Sequence, residues 1–422
     1  MSRLLSLATL AVLAVALFVL PPPGQPAPDA APAPNPTVFA VCPVIEGGGR
    51  STDLAIGSTL EGPAALTLFA NGSTVGSIEV GLGSNGATII PVVDVAAVGT
   101  VGGLVELPTG AAAAASRIQG AISSTLETCV RSIPAQVFLA GGSTAGQREM
   151  SLQLMNPFAG DAVANLVVHS EAGLESNNRF TRVIVPSRGS TVVQMDEIIP
   201  GREWITVRVD VSRGRVAAAV RQGLGEAAAS WNAVEPAGSW FLPLPTEIDG
   251  RLVIGSAAPG EVEYQVDVYG AAGVEGAAIS GALSEGAEES LPLADLEGAR
   301  AVRVVATGPV VASVEVSNGT TLSTTTGATA GAGSWLLPAA SPGPVRLVVL
   351  NPELEDAQVV VRALRENGGE FNVTVPAESV IEVGLDASDA FLVDSDVPVV
   401  ALLYEVGETA DSIAIGAPID DG

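Results

Sequence analysis

The side chains able to do acid–base or nucleophilic chemistry are few and poorly placed for it. The chain of 422 residues has one histidine, His169. A general base needs a nucleophile within reach and an acid to orient it. Ser170 and Glu171 follow directly, but neighbours along a strand point to opposite faces. The adjacency therefore assembles nothing, and His169 reads as a strand-end residue at a turn. No Gly-x-Ser-x-Gly elbow stands between a strand and a helix. Glycoside hydrolysis asks only for two carboxylates, and 46 Asp and Glu are available. Their clusters, Glu285–Glu289 and Asp394–Asp396, fall in turn-like segments and read as solvated edges. Glu247-Ile248-Asp249-Gly250 is a turn without the ligand series of an EF-hand, and phosphate-binding glycine motifs are absent. The expectation is a protein without catalytic residues, metal or cofactor.

Two other residue types could carry a site. Cys42 and Cys129 are the two cysteines. They lie too far apart, with no histidine near, to make a zinc site. In an exported chain they pair most simply as a disulfide, joining the start of a domain to the segment leaving it. Closing a loop of that length stabilises by roughly 4–5 kcal/mol in the chain-entropy model. Trp240 and Trp335 sit in matching contexts and read as core anchors. Trp231 breaks that pattern, in the connector Ser230-Trp231-Asn232. It is the candidate platform for a sugar or a protein partner.

These residues are positioned by a repeat. Trp240-Phe241-Leu242-Pro243 and Trp335-Leu336-Leu337-Pro338 are near copies, with weaker ones at Val137-Phe138-Leu139-Ala140 and Val38-Phe39-Ala40-Val41. The spacing is about 95–103 residues, the size of a domain rather than of a solenoid unit. Asn156-Pro157 matches Asn351-Pro352, and Val185-Pro186-Ser187 matches Val375-Pro376-Ala377. The closing strands are Gly110–Ser116, Arg215–Arg221, Pro309–Val316 and Pro398–Glu405. Short Val-rich runs with turns every 8–14 residues or so predict antiparallel β-sandwiches. The fold class expected is all-β: four tandem antiparallel β-sandwiches of Ig-like architecture over residues 37–130, 133–223, 239–318 and 334–416. Set in a row they make a rod or arc. The connectors Gly223–Gly238 and Asn318–Gly333 are rich in Gly, Ala, Ser and Thr, and Thr320–Thr329 reads as low-complexity. An eight-bladed propeller, with half a unit as a blade, is the alternative. The halves of a unit do not resemble each other as blades should. The run Ala111–Ala115 favours helix by propensity, but its counterparts in the later units are β-branched, so it is read as strand.

Composition bounds the partners. The hydrophobic fraction is 47%, the charged fraction 15% and the formal net charge −27, which is too apolar for disorder. All basic residues are Arg. Such a surface repels phosphates, so no nucleic-acid partner is expected. Residues 1–20 carry a signal: Ser2-Arg3, then the uncharged run Leu4–Leu20, which serves either as a cleaved signal peptide or as an uncleaved membrane anchor. Residues 21–36 form a Pro/Ala-rich spacer.

The Trp-hydrophobic-hydrophobic-Pro, Asn-Pro, Val-Pro-x-x-Ser and Pro-Val-Val-Ala elements behind an N-terminal apolar segment resemble the actinobacterial DUF5719 family of secreted or membrane-anchored envelope proteins. The resemblance covers most of residues 37–416. It implies an exported envelope protein and brings no activity to any residue. Three readings of function follow: a non-enzymatic spacer or scaffold contacting envelope proteins, a protein binding cell-wall glycan or polysaccharide, and a glycoside hydrolase.

Overall fold

The computed structural model describes residues 38–45, 51–70, 72–95, 100–107, 112–119, 124–225, 227–246, 248–270, 273–317, 322–338, 345–365, 368–385, 390–405 and 412–419. The signal or anchor and the Pro/Ala spacer lie outside the described residues. Val38–Gly422 forms one compact unit, and it is nearly all antiparallel β.

Its first repeat defines the pattern. The strands are β1 (Val38–Ile45), β2 (Ser51–Ser58), β3 (Gly62–Ala70), β4 (Ser73–Leu82), β5 (Gly86–Pro91), β6 (Thr100–Leu107), β7 (Ala112–Gln119) and β8 (Ser124–Thr128). One sheet has the order β1-β6-β3-β4 and the other β5-β2-β7-β8. The two share a core in which Ala40 and Cys42 of β1 meet Leu54 and Ile56 of β2 and Leu66 and Leu68 of β3. The β3–β4 hairpin closes at Ala70↔Ser73, and Gly72 takes the positive φ of 82° that its turn requires. The Ala run is strand, as the repeat argued.

The same two sheet orders recur three times. In the second repeat, Gln136–Gly142, Ile205–Arg213 and Ala162–Ser170 stand for β1, β6 and β3. Gly189–Gln194, Arg148–Asn156, Ala217–Leu224 and Ala227–Asn232 stand for β5, β2, β7 and β8. In the third and fourth repeats β6 and β7 are fused. The strand Ala301–Ser317 spans 17 residues and Ala390–Glu405 spans 16, and each runs through both sheets. Asn156 and Asn351 do identical work at the turn after β2. Each Nδ2 donates across the turn, to Gly160 O at 2.9 Å and to Glu355 O at 2.7 Å respectively.

The repeats do not stand in a row. The β1-bearing sheet of each repeat packs on the β7-bearing sheet of the next. Val41 and Phe69 of the first meet Ala217 and Ala219 of the second, and Phe138 and Ala140 of the second join the core of the third. Phe241 and Tyr269 of the third join the core of the fourth, and Leu336 and Leu392 of the fourth meet Ala113 of the first. The ring is closed, so the rod or arc is corrected. The cause is in the residues of β7. A strand with both faces covered carries small side chains where backbones approach, and all of Ala112–Ala115 is buried. A Cβ on Gly57 of β2 would stand 3.3 Å from Ala390 of the fourth repeat.

Eight β-layers, joined pairwise by the long strand in the third and fourth repeats, thus pack face to face around a closed ring, an arrangement that is propeller-like. The halves of a unit differ in sequence because neither half forms a sheet; β2 and β5 sit in one layer and β3, β4 and β6 in the other.

Candidate functional site

At the middle of the ring lie the four eighth strands, β8, Ala227–Asn232, Leu322–Thr326 and Ser412–Ile415, each in contact with the next and the last with the first. Sequence reading treated two of these as connectors, and that is corrected. They are buried strands that carry many polar side chains among apolar ones: Thr125, Glu127, Ser230, Asn232, Ser323, Thr324, Thr325 and Ser412 are all under 9% exposed. Buried polar groups need partners, and for several of these the partners lie across the junctions. Thr125 Oγ1 donates to Ala228 O at 2.9 Å. Ile413 N donates to Ser323 Oγ at 3.2 Å, and Ile415 N to Thr325 Oγ1 at 3.2 Å. Thr128 Oγ1 donates to Ile415 O at 2.6 Å.

Each eighth strand then crosses back to pair with the first strand of its own repeat. Val41 and Val130 exchange backbone hydrogen bonds, as do Phe138 and Val234, and Phe241 and Ala328; Leu336 pairs with Ala417. This register makes Ala40-Val41-Cys42-Pro43 the counterpart of Trp240-Phe241-Leu242-Pro243, two residues later than the alignment made from sequence. The Cys42–Cys129 disulfide sits at this crossing, with Cα atoms 4.6 Å apart.

Glu127 is the acid of the axis. Asn232 N and Asn232 Nδ2 both donate to its Oε1, at 3.0 and 2.9 Å. Burial outweighs these two donors and pushes its pKa up to about 8. A hollow of about 270 Å³ opens beside it, lined by Glu127, Thr128, Asn232, Glu235, Thr326 and Ile415 among others. Thr128, Asn232, Thr326 and Ile415 are register-equivalent, so every repeat contributes the same position to the lining.

Another acid, Glu288, half-buried as a residue but with a buried carboxyl oxygen, marks the junction of the second and third repeats. Gly141 N donates to Glu288 Oε2 at 2.7 Å. Burial again raises the carboxyl, to about 8, against the lowering influence of Arg251. Arg251 forks onto Glu315 through Nε at 3.1 Å and Nη2 at 2.9 Å, and Arg148 reaches the same carboxylate at 3.4 Å. Glu285–Glu289 is therefore not wholly a solvated edge, because Glu288 closes a junction. Asp394–Asp396 is engaged too: Ser334 Oγ donates to Asp394 at 2.6 Å and Gln358 N to Asp396 at 2.7 Å.

The single histidine also belongs to that junction. A Cβ on Gly286 would lie 2.2 Å from His169 Nδ1, so the ring lies against a glycine of the next repeat. Partial burial lowers its pKa, with Glu285 opposing and Arg208 adding to the effect. Trp231 is 1% exposed, and its Nε1 donates to Ala140 O at 3.1 Å. It fills the core of its own repeat and has no free ring face, so the platform reading is corrected. Trp240 and Trp335 are buried as anchors, their Nε1 atoms donating to Val310 O and Val399 O. Among the described residues no group of three or more His, Cys, Asp or Glu is arranged to hold a metal ion, and no helix is long and apolar enough to cross a membrane.

A family model described as "Family of unknown function (DUF5719)" matches residues 94–334, more than half of the chain. The chain belongs to this family. The match runs from the first repeat to the first strand of the fourth. No curated protein matches the chain. Among solved structures, it is similar to the Thermotoga maritima protein 1070, with 20% identity over 22% of this chain and 97% of that one and a TM-score of 0.20. A tetra-tandem repeat from the extending region of a large adhesion protein matches at 12% identity over 90% of this chain and 99% of that one, TM-score 0.11. A Streptomyces avermitilis α-L-rhamnosidase complexed with L-rhamnose matches at 10% identity over 86% and 55%, TM-score 0.13.

Proposed function

We propose that this family member is a non-enzymatic, exported envelope protein acting as a rigid scaffold that holds other envelope proteins at fixed positions around its ring. The observation behind this reading is the closure of the repeats through buried hydrogen bonds at the axis. A ring joined on both sides of every repeat has no hinge between the repeats, and fixed geometry is what a scaffold supplies. The disulfide points to an oxidising compartment, and export supplies one. The acidic composition limits association with nucleic acid and leaves proteins or wall glycan as partners.

The test uses exposed apolar side chains on the ring. Leu354 is 80% exposed, Leu174 66% and Ile184 60%. A photo-crosslinking residue at each position, activated in intact cells, is expected to yield a small, position-specific set of envelope protein adducts. Absence of adducts at every position, together with saturable pelleting of the protein on purified cell wall, would replace the scaffold by the wall-binding reading. Turnover of a glycoside by the purified chain would support the hydrolase instead.

A further inference from the structure

We infer that the axial hollow is a binding site for an organic cation, the ammonium or guanidinium group of a small amine or of a basic side chain. The lining carries unmet acceptors. Asn232 is 4% exposed. Its Nδ2 is spent on Glu127 and on Thr128 O at 2.8 Å, while its Oδ1 has no hydrogen-bond partner. Thr326 Oγ1 is buried beside the same hollow and is also without a partner. The Glu127 carboxyl lies in the lining, and Glu235 stands exposed at the rim. No basic side chain lines the hollow among the described residues. Two carboxyl groups, an orphaned amide oxygen and a hydroxyl call for an occupant that is positive and rich in N–H donors.

Size separates the cation classes. A hollow of about 270 Å³ is larger than a bare ion needs. It adjoins a second hollow of about 630 Å³ that shares Ser132, Val234 and Glu235 and continues to Pro236 and Ala237. The charged end of an organic cation would sit by Glu127 and the rest of the molecule would lie in the second hollow. Since Glu127 is held protonated up to a pKa of about 8, a cation entering at neutral pH expels that proton. Affinity then rises with pH until the group is ionised, by up to about tenfold per pH unit. This inference stands apart from the scaffold reading, because the hollow exists whatever the outer surface holds.

The test is calorimetry on the full chain with its disulfide intact, using Nα-acetyl-arginine amide, Nα-acetyl-lysine amide, methylguanidinium and calcium chloride from pH 6 to 8.5. Saturable binding by an organic cation, with proton release and rising affinity, is expected. Glu127→Gln should weaken it at least about tenfold and remove the pH slope; Gln imitates the neutral acid, so the variant should fold. Glu235→Gln, exposed at the rim, should weaken it by a few fold and gives a second reading independent of folding. Tighter binding by a capped amino acid than by methylguanidinium identifies a partner's side chain as the source, and the reverse a small free cation. No saturable binding, binding that Glu127→Gln leaves unchanged, or binding by calcium alone overturns the inference.

Discussion

The first and third repeats solve one problem in two ways. Both must bring the end of the eighth strand back across the sandwich to the first strand. In the first repeat the crossing is covalent, Cys42 to Cys129. In the third the register-equivalent pair is Leu242 and Gly327, and a Cβ on Gly327 would lie 2.8 Å from Leu242 Cγ. The fourth repeats this with Leu337 over Gly416, at 2.9 Å. The backbone is the same throughout: Cys129 N, Ala233 N, Gly327 N and Gly416 N each donate to the seventh strand, to Ala114, Ala218, Ala312 and Ala401. A leucine over a glycine and a disulfide thus occupy one structural position, and the backbone hydrogen bond is what the position requires.

The comparison is broken most strongly by removing the covalent version. Cys42→Ser with Cys129→Ser should lose about 4–5 kcal/mol in the chain-entropy account, read as a fall in the denaturant midpoint. A loss near zero would mean that backbone pairing alone holds the crossing. Gly327→Ala should cost about 1–3 kcal/mol by overpacking, because Leu242 and the carbonyl of Phe241 leave no room. The second repeat already carries Ala233 at this point, so an equal cost there on enlarging Ala233 to Val would show that the glycine is not special.

The neighbouring position sharpens the contrast through pH. Glu127 in the first repeat and Thr325 in the third are register-equivalent, and each accepts from a backbone N–H of the following repeat, Asn232 and Ile415. The hydroxyl is indifferent to pH and the acid is not. Because burial raises the folded pKa of Glu127 to about 8 from an ordinary 4.5, the folded state holds a proton that the unfolded chain releases. Its stabilisation is complete below the ordinary value and is lost as pH rises toward 8, at up to roughly 1.4 kcal/mol per pH unit. Glu127→Thr should flatten the melting temperature against pH by this amount, leaving the parallel slope from Glu288. An unchanged slope would show that Glu127 is ionised in the fold. The smallest effect is expected from moving the disulfide. Leu242→Cys with Gly327→Cys should form the bond, seen as a two-dalton mass loss, with net stability within about 1–2 kcal/mol of the parent because lost leucine packing offsets loop closure.

Strands, turns and the disulfide were legible because each rests on local chemistry: Val alternation, Asn-Pro turns, a single pair of cysteines. The register of the first copy was not, since it lacks the tryptophan that marks the later ones and only Pro43 keeps it in line. The ring was hidden for a different reason. Its seams use Ala113, Ala217, Ala219 and Gly57, residues whose meaning is room rather than affinity. The axis was hidden because Ala227–Asn232 offers mostly small residues around Trp231, and because Leu322-Ser323-Thr324-Thr325-Thr326 is polar, and polarity ordinarily means solvent. Here it means that hydrogen bonds between repeats run through side chains. Glu288 carried a signal only as one acid among several at a turn.

Closure has a kinetic side. The contact between Thr128 and Ile415 joins residues 287 apart in sequence, whereas the other junctions of the axis join neighbouring repeats. Loop-closure entropy grows slowly with length, so this last contact costs only about 1 kcal/mol more than its neighbours. Its timing is another matter. A chain emerging from its N-terminal end builds the first repeat while the fourth is still to come, and until then β8 and the alanine face of β7 lack their partner. That open edge is where a folding chain of this kind is exposed to mispairing with a second copy, and the polar axis, being a poor surface for apolar collapse, is the part of the sequence that guards it.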